Sequence, residues 1–265
     1  MATQTVSLVD FVEGRLERYR YTFTKQEALK ATDLSDSAFH MAVSRLKKKS
    51  RLISPRQGFY VIVPPHYKRR GAPPASFFID PMMSYLEEPY YVGVLTAGSV
   101  HGAAHHAAQE FQVVVSRQFT DVNVGRNQIV FIQNIHLDEI PVTRVNTETG
   151  EMTVSTPQVT ALDLVYYDDR AGHLNNVATV LNGLAGKLEP DNLLSVAKKY
   201  HSRASVQRLG YIMEFLGHDR LVSPLANWLK KQKPSRVPLD THGDRSKGDR
   251  IRPWEVIVNR TLEPD

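Results

Sequence analysis

The chain of 265 residues contains no cysteine. That absence removes disulfides, zinc-thiolate centres and cysteine nucleophiles, and it fits a reducing cytoplasm. No apolar run approaches the roughly 18 residues that a membrane span needs, so no membrane partner is expected. Met1 to Asp10 lack a basic start followed by an apolar stretch, so no secretory signal is expected there. There is no glycine-rich phosphate loop, no nucleophile elbow, no internal repeat and no low-complexity tract. Acidic residues are also missing over one long interval: none occurs from Ala38 to Pro74.

What is present is a globular composition, 42% hydrophobic and 23% charged, long enough for one large domain or two ordinary ones. The net charge of +5 is unevenly spread. Residues 1–74 carry 14 Lys and Arg against 6 Asp and Glu, and the remainder carries 19 against 22. A basic, acid-free stretch attracts a polyanion.

The pattern within that stretch is specific. Leu8, Val9, Val12 and Leu16 form one apolar helical stripe. Thr24 to Glu27 reads as a capping box that opens a short helix through about Ala31. Thr32, Asp33 and Leu34 make a turn, and Ser35 caps a further helix running to about Lys49. In that helix Phe39, Ala42, Val43 and Leu46 fall at i, i+3, i+4 and i+7 and face inward. Its other face carries Ser37, His40, Met41, Ser44, Arg45 and Lys48. Two short helices joined by a tight turn form a helix-turn-helix, whose second helix enters the major groove. Ser37 and His40 are then placed at base edges, and Ser44, Arg45, Lys47, Lys48 and Lys49 at phosphates. Arg51 to Ser54, Pro55 to Gly58 and Phe59 to Val63 read as strand, turn and strand, a wing with Arg56 and Gln57 at its tip. His66 to Pro74 is basic and proline-rich, and reads as a semi-rigid linker.

The second half is expected to be mixed. Helices are read at Asp80-Pro81 onward, at Tyr90 to His101 and after Thr156-Pro157. Strands are read at Phe111 to Val115, at Ile129 to Phe131, and as a hairpin pairing Val142 to Val145 with Met152 to Val154. From His173 the chain is helical, with Leu174, Val177, Leu181, Leu184 and Leu188 at alternating spacings of three and four. The stretch from Lys233 to Arg252 is expected as a long loop, and Trp254 to Asn259 as a last strand. The fold class expected is α+β: a winged helix-turn-helix over 1–74, then a mixed α/β domain over 75–265 with a helical C-terminal half.

Chemistry-bearing residues are sparse. His101 and His105 are four apart, with His106 adjacent, but no glutamate lies between them and no third ligand is evident, so no metal is expected. Asp163 lies in an apolar helical run, where it can cap or bridge a neighbouring helix, and Asp168 to Gly172 reads as a turn with helix-end charges. No catalytic residue and no cofactor are expected, and the chain is read as a regulator rather than an enzyme.

Several segments resemble the AbiEi abortive-infection antitoxins of type IV toxin–antitoxin systems. They are Leu52 to Pro65, Pro89 to Gly102, Glu110 to Val115, Thr156 to Asp163, Arg208 to Leu216 and Trp254 to Asp265, in that order along nearly the whole chain. The resemblance implies a bacterial or archaeal two-gene operon, an N-terminal winged helix and a C-terminal antitoxin domain. It implies repression of its own promoter at inverted repeats in double-stranded DNA. It also implies neutralisation of a nucleotidyltransferase-like toxin without a stable complex. Carried over by position, the DNA-contacting residues it implies are Ser35, Ser37, His40, Ser44, Arg45, Lys47, Lys48, Arg51 and Arg56. Ser50 stands where the family often has glycine in a left-handed conformation, which implies local strain of order 1 kcal/mol or a slightly different turn. Two other readings remain open: a ligand-responsive winged-helix transcription factor, and a metal-dependent nuclease with a DNA-binding module, cutting through Asp163 or Asp169.

Overall fold

The computed structural model describes residues 6–103, 109–244 and 247–264. In chain order the elements are α1 (Leu8–Glu17), β1 (Thr22–Thr24), α2 (Lys25–Thr32), α3 (Asp36–Lys48), β2 (Leu52–Arg56), β3 (Phe59–Ile62), α4 (Ile79–Tyr85), β4 (Tyr90–Val92), α5 (Val94–Val100), β5 (Phe111–Val115), β6 (Val122–Val124) and β7 (Asn127–Gln133). There follow β8 (Val142–Thr147), β9 (Gly150–Ser155), α6 (Pro157–Tyr166), α7 (His173–Leu184), α8 (Pro190–Lys199), α9 (Arg203–Phe215), α10 (Asp219–Gln232), β10 (Val237–Pro238), β11 (Asp249–Ile251) and β12 (Val256–Val258). The strands form a three-stranded sheet β1-β3-β2, a three-stranded sheet β10-β12-β11 and a six-stranded sheet β6-β7-β5-β4-β9-β8. The class is α+β. No described helix is long and apolar enough to cross a membrane.

The chain divides into two compact units: residues 1–90, 115–133 and 144–153 form the first, and 91–114, 134–143 and 154–265 the second. The sequence boundary at 74/75 thus lies inside the first unit, which also takes in later strands.

The first unit begins with helices whose ends are chemically specified. Ser7 and Asp10 form a capping box at α1, and Thr24 and Glu27 form another at α2. Each box satisfies otherwise unpaired amide groups reciprocally. Asp33 closes α2 in the left-handed region at φ 53°, and the Ser35 hydroxyl accepts from the Ala38 amide to open α3. Leu8, Val12, Phe23, Ala28, Phe39, Val43, Leu46, Leu52, Tyr60 and Ile62 make one core cluster. Burial of each large side chain there contributes about 2 kcal/mol. Of the first-helix stripe, Val9 is exposed and Phe11 packs in its place, edge-on to Phe23 at 5.3 Å. β3 lies between β1 and β2, pairing Phe23 with Tyr60 and Leu52 with Ile62, with a bulge in β2 between Ile53 and Arg56.

Residues 66–74, expected as a semi-rigid linker, pack within the first unit. Pro65–Arg70 is a short 3-10 segment, and Gly71 packs so closely on Gly125 that a Cβ would sit 2.9 Å from its Cα. The Arg126 amide donates to the Arg70 carbonyl at 3.0 Å, and the Asn127 side chain to that of Pro73. These partners come from a segment more than fifty residues later.

In the second unit the helix expected over Tyr90 to His101 is two elements. Val92 pairs in parallel with Val154, which makes the start of this segment a buried strand. Gly93 then ends it: a Cβ there would meet Val114 at 2.8 Å and the Tyr91 ring at 3.0 Å. The helices α6 to α10 follow the apolar spacing closely, with Leu174, Val177, Leu181 and Leu184 all buried on α7. Helix α10 contains Pro224. The stretch 233–252 holds β10 and β11 rather than only loop. Trp254 is fully buried against Gly210, and its indole nitrogen donates to Glu214 at 2.7 Å.

Candidate functional site

Helix α3 presents the surface singled out from the sequence. Phe39, Val43 and Leu46 are buried, while Ser37, His40, Met41, Ser44, Arg45, Lys47, Lys48 and Lys49 are exposed. Among the described residues no ion-pair partner faces Arg45, Lys48 or Lys49. Lys47 Nζ lies 5.7 Å from the centre of the Tyr60 ring. The nearby acid, Asp36, is taken by Lys25 at 2.7 Å, whose hydrogen bond holds its carboxyl below the usual range. The face is therefore left with uncompensated positive charge over the last turn of the helix.

The end of α3 explains how the chain turns into the hairpin. The Ser50 amide donates to the Lys47 carbonyl and the Arg51 amide to that of Leu46, both at 2.9 Å, with Ser50 at φ 53°. This is a Schellman arrangement, so of the two alternatives Ser50 takes the left-handed conformation rather than a different turn. Arg51 then pairs with Glu13 at 3.1 Å. Ser35 is occupied in capping α3 and lies 3.2 Å from the Ser37 hydroxyl.

The hairpin tip departs from the sequence reading. Arg56 turns back into its own unit rather than outward. Its guanidinium donates to the Thr120 carbonyl and lies 5.1 and 5.8 Å from the rings of Phe131 and Phe119. Burial lowers its pKa, and its Nε has no hydrogen-bond partner. Exposed Gln57 remains at the tip, where its carbonyl accepts from the Tyr85 hydroxyl at 3.1 Å and the next carbonyl, of Gly58, accepts from the Lys25 amide at 2.8 Å. Gly58 has φ 78°, and a Cβ there would meet Tyr85 Oη at 2.4 Å, so only glycine fits. His40, Gln57, Tyr60, Tyr85 and the start of α2 enclose a hollow of about 560 Å³. The structure thus brings α3 and the hairpin tip to one hollow but withdraws Arg56 from it.

A second cluster lies in the second unit and was seen in the sequence only as a lone aspartate. Asp163 is fully buried on α6 and accepts from Tyr91 at 3.0 Å and Tyr200 at 2.7 Å. Burial outweighs both hydrogen bonds and pushes its carboxyl up to about 7. Tyr91, Tyr200 and Tyr167 are all raised, each first by burial and then by the neighbouring aspartate. The Tyr167 hydroxyl and the Asn134 amide nitrogen, buried with them, have no hydrogen bond of good geometry. The raised, fully buried carboxyl of Asp163 is the opposite of the exposed carboxylates a nuclease needs for Mg²⁺.

His101 Nε2 donates to the Ser155 carbonyl, 2.8 Å away, and burial lowers its pKa. His105 and His106 lie outside the described residues. Asp168, Asp169 and His242 offer ligand atoms within 4.8 Å of one another, a grouping across 74 residues of chain that spacing alone does not reveal.

No curated protein matches the sequence. Among solved structures, the crystal structure of the RV2827C protein from Mycobacterium tuberculosis aligns over 93% of this chain and 89% of that one, with a TM-score of 0.65 and 13% identity. At that identity the likeness speaks to the fold alone. Residues 91–215 match the family described as the AbiEi antitoxin C-terminal domain. That stretch contains Asp163, Tyr91 and Tyr200, and it supports an antitoxin role in a toxin–antitoxin system. Residues 91–215 are thus similar to the C-terminal domain of the AbiEi antitoxins.

Proposed function

We propose that the protein is the DNA-binding antitoxin of a type IV toxin–antitoxin pair, acting in the cytoplasm as a repressor of its own operon. The reading rests on one observation above the others. Helix α3 exposes Ser37, His40, Ser44, Arg45, Lys47, Lys48 and Lys49 on a surface whose sequence has no acidic residue from Ala38 to Pro74. In this reading α2 and α3 are the helix-turn-helix and β2–β3 the wing. Ser37 and His40 meet base edges, while Arg45, Lys47, Lys48 and Lys49 neutralise phosphates. Gln57 is the tip residue free to reach DNA. Arg56, Arg51 and Ser35 act indirectly, by bracing the wing, tying α3 to α1 and capping α3. The operator is a pair of inverted repeats in the protein's own promoter. The domain at 91–215 counteracts a nucleotidyltransferase-like toxin without a stable complex, without a catalytic step of its own and without a cofactor.

The test is fluorescence anisotropy of the full chain on its own upstream duplex and on a scrambled one, at 50 and 200 mM salt. Four phosphate contacts give a slope near −3.6 on a log–log plot, about a hundredfold weaker binding over that range. His40→Ala is expected to blur the preference between the two duplexes. Equal affinity for both at either salt would remove the repressor reading. Co-expression with the adjacent toxin gene tests the antitoxin arm: growth must be rescued by the chain and by its second unit's intact surface, with no co-purifying complex.

A further inference from the structure

The second unit gathers a set of ligand atoms that the DNA-binding reading does not use. Asp168 and Asp169 lie in the single 3-10 turn Asp168–Arg170 between α6 and α7. His173 opens α7, and His242 lies in the loop between β10 and β11. Asp169 divides its two oxygens between the two imidazoles: Oδ1 is 3.8 Å from His173 Nδ1, and Oδ2 is 3.6 Å from His242 Nε2. These separations are too long for hydrogen bonds. They match the spacing of about 3.4 Å between two ligand atoms that each sit about 2.1 Å from one ion at a tetrahedral angle.

The composition of the group narrows the ion. Carboxylates alone suit Mg²⁺ or Ca²⁺, but imidazole nitrogen beside carboxylate oxygen suits zinc and its first-row neighbours. The orientation of His242 fits the same use. Its Nε2 faces Asp169, while Nδ1 lies 3.2 Å from the Thr241 hydroxyl and 3.9 Å from Asp240, as the outer nitrogen of a ligating histidine is commonly held. Asp240 in turn accepts from the backbone amides of His242 and Gly243, which fixes the loop that carries the imidazole. Asp168 brings a second carboxylate beside Asp169, with its ligand oxygen within 4.8 Å of those of Asp169 and His242.

We propose that Asp168, Asp169 and His242 bind one divalent transition-metal ion. The remaining positions are open to water, because Asp169, His173 and His242 are all more than half exposed. The ion would pin the loop between β10 and β11 to the turn before α7, joining segments 70 residues apart. This assignment does not depend on DNA binding.

The experiment uses the tag-free full chain after treatment with a chelator. Zn²⁺ and Mg²⁺ are titrated separately by calorimetry and by thermal unfolding, and Co²⁺ is added for its visible absorption. The expected result is one Zn²⁺ per chain with micromolar affinity and a melting temperature raised by about 3 °C or more at saturation. An equal concentration of Mg²⁺ is expected to have little effect, and Co²⁺ to give d–d bands of a low-coordinate nitrogen–oxygen site. Asp169→Asn and His242→Ala, both at exposed positions, should each abolish the stoichiometric site while leaving the metal-free melting temperature unchanged. No binding below millimolar Zn²⁺ would overturn the proposal, and so would undiminished binding in either variant.

Discussion

The buried carboxylate of Asp163 should make the stability of this protein fall as pH rises toward neutrality. Its carboxyl is pushed up to about 7 in the folded chain from an ordinary 3.8. The folded state therefore holds a proton that the unfolded state has released. The resulting contribution is fully present below about pH 4 and is lost as pH rises through 7. Each unit of displacement is worth about 1.4 kcal/mol, so the whole effect is about 4 kcal/mol, of which about 3 kcal/mol falls between pH 5 and 8. No discount for solvent applies, because the residue is fully buried. The perturbation is Asp163→Asn, which keeps the size and can still bond Tyr91 and Tyr200, donating to one and accepting from the other. Urea unfolding of both proteins from pH 5 to 8 gives the comparison. His101 and His201, both lowered by burial, contribute with the opposite sign, and Asp168, which is raised, with the same sign. All three are common to both proteins, so the difference curve isolates Asp163. The wild-type midpoint should fall by about 1 M urea relative to the variant across that range. A difference curve that is flat with pH would mean that Asp163 is ionised throughout and that the tyrosine hydroxyls outweigh burial.

Three further outcomes follow from local geometry. Lys47→Ala with Lys48→Ala should weaken binding to every duplex and reduce the salt slope by about 1.8, measured by anisotropy at several salt concentrations; an unchanged slope would place the phosphates elsewhere. Ser50→Gly should raise stability by about 0.5–1 kcal/mol in chemical denaturation, because glycine takes the left-handed φ of 53° without strain, and a loss of stability would contradict the Schellman assignment. Gly210→Ala should destabilise by about 3 kcal/mol or more, since its Cβ would sit 2.0 Å from the buried Trp254 ring, and near-neutral behaviour in thermal unfolding would show that the ring can retreat.

Much of the first unit could be read along the chain because its signals are local. A capping box needs only Thr24 and Glu27, and the inward stripe of α3 needs only Phe39, Val43 and Leu46 in helical register. At Ser50 the family resemblance left a strained left-handed residue or a different turn, and the structure has the left-handed residue. The buried run of α7 and the cap at Thr156 were legible for the same reason. The antitoxin family was legible through ordered segments, and the match over 91–215 bears it out.

What the chain could not reveal was decided by partners far away in sequence. Tyr90 to Val92 has helical neighbours, yet it is a strand because Val92 meets Val154. Arg56 reads from the sequence as an exposed turn residue, yet it ends β2, and Thr120, Phe119 and Phe131 hold it inward. Asp163 became a proton-holding group only when Tyr91 and Tyr200 closed over it, and Asp169 met His242 across an intervening domain's worth of helices. Backbone hydrogen bonds and side-chain periodicity act over a few residues, so the sequence by itself determined helix ends, stripes and charge distribution. Burial acts between whichever surfaces the fold brings together, and it alone decided which polar groups lost water, which way each turned and which carboxyl kept its proton.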